Sequence, residues 1–183
     1  MVEKIRRVVT GHDETGKSVF IIDGNAPAVK EMESMPGLAL TDLWQTNDAP
    51  ADNAGNADAA DRPVVLEPPA NGTIFRLVEF PPDSAWRGKA DAVDAFDSIG
   101  AGHAPVEGSD DPMMHKTSTV DYLIVVKGEI WAILDDSEVC LKQGDMMIQR
   151  GTNHSWSLRT DKPCLLAAVL VNAEPAQGLT LTL

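Results

Sequence analysis

Two histidines stand where chemistry could be built, His115 and His154. In His115-Lys116-Thr117-Ser118-Thr119-Val120-Asp121, residues 115, 117, 119 and 121 share parity. On a continuous strand such residues face one side, so His115, Thr117 and Asp121 would lie together. His154 follows the turn Gly151-Thr152-Asn153. Imidazole titrates near neutrality, and a carboxyl in apolar surroundings has a raised pKa, so the set could move protons. The same residues also suit a structural role: a buried His can simply bond a strand carbonyl, and Asp121 can cap a turn or pair with Arg150.

Other residues could join. Gln149 and Arg150 precede the turn, and one of them should point inward; Arg150 could clamp a substrate carboxylate bidentately or lie on the surface. Trp156 shares parity with His154 and is a candidate pocket wall, although Trp131 and Trp156 would serve equally as core or interface aromatics. Tyr122 has the parity opposite to Asp121 and is expected outside. His103, Glu107, Asp110 and Asp111 fall in a loop that reads as a solvated lid. His12 reads as exposed, and Cys140 and Cys164 as small buried hydrophobes.

The elements that must position these groups read as strands. Ile5 to Val9 and Val19 to Ile22 form a hairpin around a polar loop. That loop, Gly11 to Ser18, matches G-x-x-x-x-G-K-S. A phosphate-cradling loop needs a helix after it, whereas Val19-Phe20-Ile21-Ile22 favours a strand, and Asp13 and Glu14 would repel phosphate. Leu38, Leu40 and Leu43-Trp44 could form a strand over an apolar surface. Residues 47 to 62 hold no large apolar side chain and read as a mobile loop. Phe75 to Phe80 is a strand stopped by Pro81-Pro82, and Lys89 to Phe96 reads as a short helix. From Thr119 onward, short strands alternate with Lys127-Gly128, Asp135-Asp136-Ser137, Gln143-Gly144-Asp145, Gly151-Thr152-Asn153 and Asp161-Lys162-Pro163, which indicates a sandwich or barrel.

Composition bounds the whole. The 183 residues are 43% hydrophobic and 23% charged, the balance of one globular domain. A net charge of −13 disfavours nucleic acid and anionic membrane. No apolar run reaches the roughly 18 residues that cross a bilayer. The N-terminal residues lack the apolar region of a signal peptide, so a cytoplasmic protein handling small molecules is expected. Two cysteines make no disulfide framework.

The segment from His115 to Leu158 resembles the cupin superfamily, whose motifs are written G-x5-H-x-H-x3-4-E-x6-G and G-x5-P-x-G-x2-H-x3-N. His115 to Gly128 fits the first in spacing, with Thr117 at the second His and Asp121 at the Glu. Gly144 to Leu158 fits the second one residue short, with Leu158 at the final Asn. Fifteen residues separate Gly128 from Gly144, close to a minimal inter-motif hairpin. The resemblance covers residues 74 to 172.

It implies an all-β, jelly-roll β-barrel at 74–183, preceded by an N-terminal β-hairpin arm at 1–47 and a flexible linker loop at 48–73. It implies that His154 approaches His115 and Asp121 from a neighbouring strand inside the barrel. His115, Asp121 and His154 would then be catalytic residues or the ligands of one divalent metal, Fe, Zn, Mn or Ni, with no metal as the live alternative. Substrate would meet Arg150, Gln149, Trp156 and Thr117. The expected function is a lyase, dehydratase or isomerase acting on a small carbonyl- or carboxylate-bearing metabolite. The alternatives are an Fe(II)-dependent dioxygenase and a non-catalytic binding cupin. A homodimer is expected, with no nucleic-acid or membrane partner.

Overall fold

The computed structural model describes residues 2–89 and 91–175. Residues 176–183, which end the expected barrel, and Ala90, inside the expected Lys89–Phe96 helix, lie outside the described residues.

The N-terminal hairpin forms as the sequence predicts. β1 (Arg6–His12) pairs antiparallel with β2 (Ser18–Asn25). Asp13 Oδ1 accepts from the amides of Thr15 and Lys17, and Gly16 turns the chain at φ +81°. The loop thus spends its amide donors on its own aspartate, and no helix follows to aim at a phosphate.

Four strands follow with two short helices: β3 (Ala28–Glu31), β4 (Ala39–Thr46), β5 (Thr73–Phe80), α1 (Asp83–Trp86), α2 (Ala92–Asp97) and β6 (Thr119–Lys127). Asp91 caps α2 by accepting from the amides of Val93 and Asp94, so the helix starts later than Lys89. The chain closes with β7 (Glu129–Ile133), β8 (Glu138–Lys142), β9 (Met146–Arg150), β10 (Ser155–Ser157) and β11 (Cys164–Asn172).

Six strands make one sheet in the order β3-β4-β5-β11-β6-β9, and three make another in the order β10-β7-β8. Alternate residues of β6, Leu123 and Val125, meet Ile130 and Ala132 of β7, Leu141 of β8, and Leu166, Ala168 and Leu170 of β11 in one buried cluster. That burial between the sheets is the main driving force for closing the barrel.

The end of the expected N-terminal arm joins the larger sheet, because β4 pairs along β5 from Ala39↔Glu79 to Thr46↔Thr73. The expected linker loop, 48–73, is anchored at several points. Asp58 pairs with Arg7, Arg62 with Asp42 at 2.9 Å, and the Val65 and Leu66 carbonyls accept from Arg76. These anchors are polar, and a reading based on missing apolar side chains passes over them.

Candidate active site

A cavity of about 130 Å³ opens inside the barrel end nearest the helices. β5 supplies Arg76, Val78 and Phe80 to its wall, β11 supplies Leu166, Ala168 and Leu170, and β6 supplies Asp121 and Leu123. Trp86 of α1 and Phe96 of α2 close it with Met32, Met35, Leu38, Ile99 and Met113. The segments expected as arm and lid therefore form a packed apolar roof.

His115 and His154 meet on the wall by a backbone device. Each amide donates to the other's carbonyl at 2.9 Å, which makes an isolated antiparallel bridge and sets the side chains abreast. The ring centroids are 4.2 Å apart. Nδ1 of His115 lies 2.9 Å from the Met113 carbonyl, and Nδ1 of His154 lies 3.0 Å from the Thr152 carbonyl. A carbonyl only accepts, so each Nδ1 carries the proton and each Nε2 keeps a lone pair. Neither Nε2 has a hydrogen-bond partner among the described residues. Burial, then the neighbouring His115, pushes His154 down to about 3. Burial lowers His115 as well, against the Met113 carbonyl and Asp111.

Asp121 enters from β6, 5% exposed, with its Oδ1 unpartnered. Burial pushes its carboxyl up to about 6, opposed by Thr119 and by the charge of Arg76. Arg76 is 2% exposed and is already committed: Asp42, fully buried, sits 2.9 Å from its Nε, and the two linker carbonyls take its remaining fork. Thr117 lines the cavity and bonds Thr119 Oγ1 at 2.7 Å. Trp156 lines it too, edge-on to His154 at 5.9 Å.

His115, Thr117, Asp121, His154 and Trp156 thus reach one cavity. Two expected substrate contacts do not. Arg150 is exposed on the outer face of β9, because Gln149 takes the inward position. Gln149 is buried beside the wall, in register with Asp121, and donates from Nε2 to the Thr152 carbonyl at 3.2 Å. It steadies the turn that presents His154. Arg76 and Asp42 were missed. Arg76 shares parity with Ile74 and Val78, a charge on the apolar face of a strand, and that signal was readable.

The three-ligand metal set does not assemble. Among the described residues, no group of three His, Cys, Asp or Glu is placed to hold a metal ion. The strand starts at Thr119, and residues 116–118 bend before it, so His115 and Asp121 do not sit on one continuous strand. The paired Nε2 atoms suit a metal, but Asp121 does not complete their set.

No family model matches the sequence. Among curated proteins the chain is 28% identical to a cupin-domain-containing oxidoreductase of Neurospora crassa, over 85% of this chain and 67% of that protein. It is 27% identical to another protein of that description from Hypocrea virens, over 92% of this chain and 76% of that one. The two sheets closed on one core agree with that similarity. The fold is a cupin-type β-barrel, and the sequence is similar to cupin-domain proteins. The chain is also 28% identical to phomopsin biosynthesis cluster protein C' of Diaporthe leptostromiformis, over 84% of this chain and 70% of that protein. A cupin-2 domain protein from Shewanella frigidimarina superposes with a TM-score of 0.33 at 16% identity, over 53% of this chain and 68% of that chain.

Proposed function

We propose that this cupin is a proton-transfer enzyme of the lyase, dehydratase or isomerase type, acting on a small carbonyl-bearing metabolite held in the cavity. The observation that carries the reading is the unpartnered carboxyl oxygen of Asp121, facing an apolar chamber also lined by two imidazoles with free Nε2 atoms. A group that titrates near 6 is ionised enough at neutral pH to take a proton and basic enough to hold it. Asp121 removes a proton from the carbon beside the carbonyl. The imidazoles, both neutral, hold the substrate by accepting from it. The roof of Trp86, Phe96 and Met113 excludes water and limits competing hydrolysis.

The test is deuterium incorporation into 2-hydroxyacetophenone and hydroxyacetone in D2O. The enzyme should accelerate exchange at the carbon bearing the hydroxyl. Asp121→Asn should lose most of it, on the order of 10²–10⁴-fold. Exchange no faster than in buffer would sink the reading.

One observation favours a second reading. A histidine with Nδ1 fixed by a carbonyl and Nε2 free is oriented as a metal ligand is, and the relatives from Neurospora crassa and Hypocrea virens are named oxidoreductases. One equivalent of Fe, Zn, Mn or Ni in purified protein, lost in His115→Ala, would support it, with iron pointing to the dioxygenase alternative. Tight ligand binding without any turnover would leave a non-catalytic binding cupin.

A further inference from the structure

The polar atoms that the two histidines and Asp121 leave free on the cavity wall are all acceptors. Nε2 of His115 and Nε2 of His154 are lone pairs, because the Met113 and Thr152 carbonyls take the Nδ1 protons. Asp121 Oδ1 is a third acceptor. The wall's cation and its hydroxyl are engaged: the Arg76 guanidinium is held by Asp42 and the carbonyls of Val65 and Leu66, and the Thr117 hydroxyl is paired with Thr119. Beyond these the wall is apolar except for the indole N–H groups of Trp86 and Trp156.

A ligand that fits must therefore supply hydrogen-bond donors, since buried acceptors left unpaired are costly. It must also be neutral. A carboxylate would bring more acceptors against acceptors and would find no free cation. Size follows from volume: an apolar cavity of roughly 150 Å³ takes a benzene ring, and this one measures about 130 Å³. Phe96 and Trp86 in the roof, with Trp156 on the wall, supply aromatic faces and edges for a ring.

We propose that the substrate is a neutral, ring-sized, hydroxyl-bearing molecule whose hydroxyl donates to the His115–His154 pair. This rests on the proton-transfer reading for turnover but narrows its substrate class, and it removes the carboxylate-bearing metabolites expected from sequence.

Three probes of similar size test it by calorimetry on the intact wild-type protein: phenol, toluene and benzoate. Toluene is nearly isosteric with phenol, is more hydrophobic and cannot donate, so hydrophobicity alone would rank it first. The expected order is phenol at least tenfold tighter than toluene, with benzoate not binding. His154→Leu should reduce the preference for phenol while toluene still binds. Toluene equal to or tighter than phenol, or benzoate tighter than phenol, would overturn the proposal whether or not the variant folds. Binding and turnover separate the two readings: phenol selectivity without deuterium exchange overturns the enzyme and leaves this inference standing, and exchange without phenol selectivity does the reverse.

Discussion

Asp121 and His154 are buried in the same chamber, and their titrations pull stability in opposite directions. Asp121 rises from its ordinary 3.8 to about 6, so its protonated form favours the fold. That contribution is complete below about pH 4 and is lost as pH rises through 6. His154 falls from 6.5 to about 3, so its neutral form favours the fold, and that contribution is lost as pH falls from 6.5 toward 3. Each shift corresponds to a few kcal/mol at most, at about 1.4 kcal/mol per pKa unit. Asp121→Asn should therefore raise Tm relative to wild type more at pH 8 than at pH 4, even as it removes exchange activity. A Tm difference unchanged across that range would show that Asp121 is not the buried ionisable group. His154→Phe should flatten the loss of Tm between pH 6.5 and 4, and retention of that loss would assign it elsewhere. His115, Thr117 and Asp121 line one cavity, although the continuous strand on which their shared parity was read starts only at Thr119. Parity could not show that Asp121 and the histidines stay apart. That separation arises because Lys116 donates to the Ala104 carbonyl and Ser118 to Glu67 Oε1, which bend the chain ahead of β6. Such bonds come from distant loops and leave no periodic trace.

At the scale of elements, the barrel strands after Thr119 were legible because each is a short, largely apolar run that stops at a turn bearing Gly, Asp or Pro. The roof was not, because its helices are short and its loops irregular, and what holds them is packing between segments far apart in the chain. Phe96 shows this: it is 5% exposed, and its ring lies 4.9 Å from His115. Phe96→Ala should cost about 3–5 kcal/mol by denaturant titration. It should also enlarge the chamber, so that two-ring ligands excluded from wild type bind. A small cost with no new ligands would mean that the roof neither packs nor gates by size. β4 and β5 are tied by charge as well as by their ladder. Asp42 lies 2.9 Å from both Arg62 and Arg76, and both Asp42 and Arg76 are almost wholly buried. Removing the carboxylate leaves a guanidinium uncompensated in the interior, so Asp42→Ala should cost about 3–5 kcal/mol. The midpoint in urea should fall with little change in slope. An unchanged midpoint would show that the two linker carbonyls alone satisfy Arg76.

At the scale of the whole molecule, what stands out is the apolar surface that remains uncovered. On the outer face of the six-stranded sheet, Tyr122 lies opposite Ile148 and Ile124 opposite Met146. All four are well exposed, Met146 at 70%. The row runs to β9, which ends the sheet order with one side unpaired among the described residues. A hydrophobic edge strand of this kind either is covered or drives aggregation. Nothing in the described chain covers it, whereas the neighbouring patch of Leu77, Leu165 and Ala167 is met by Ile5 and Leu43. The homodimer expected from sequence would bury this row against its counterpart in a second copy, and a face meeting itself about a two-fold axis closes without leaving a further edge. Sedimentation should then give twice the 19.6 kDa of one chain. Each copy carries a net charge of −13, so salt should strengthen the association by screening their repulsion. Ile148→Lys places a like charge on both sides of the contact and should yield monomers that retain the pH dependence of the buried site, since Ile148 points away from it. A wild-type monomer at micromolar concentration, or a dimer that survives Ile148→Lys, would assign this face to some other partner.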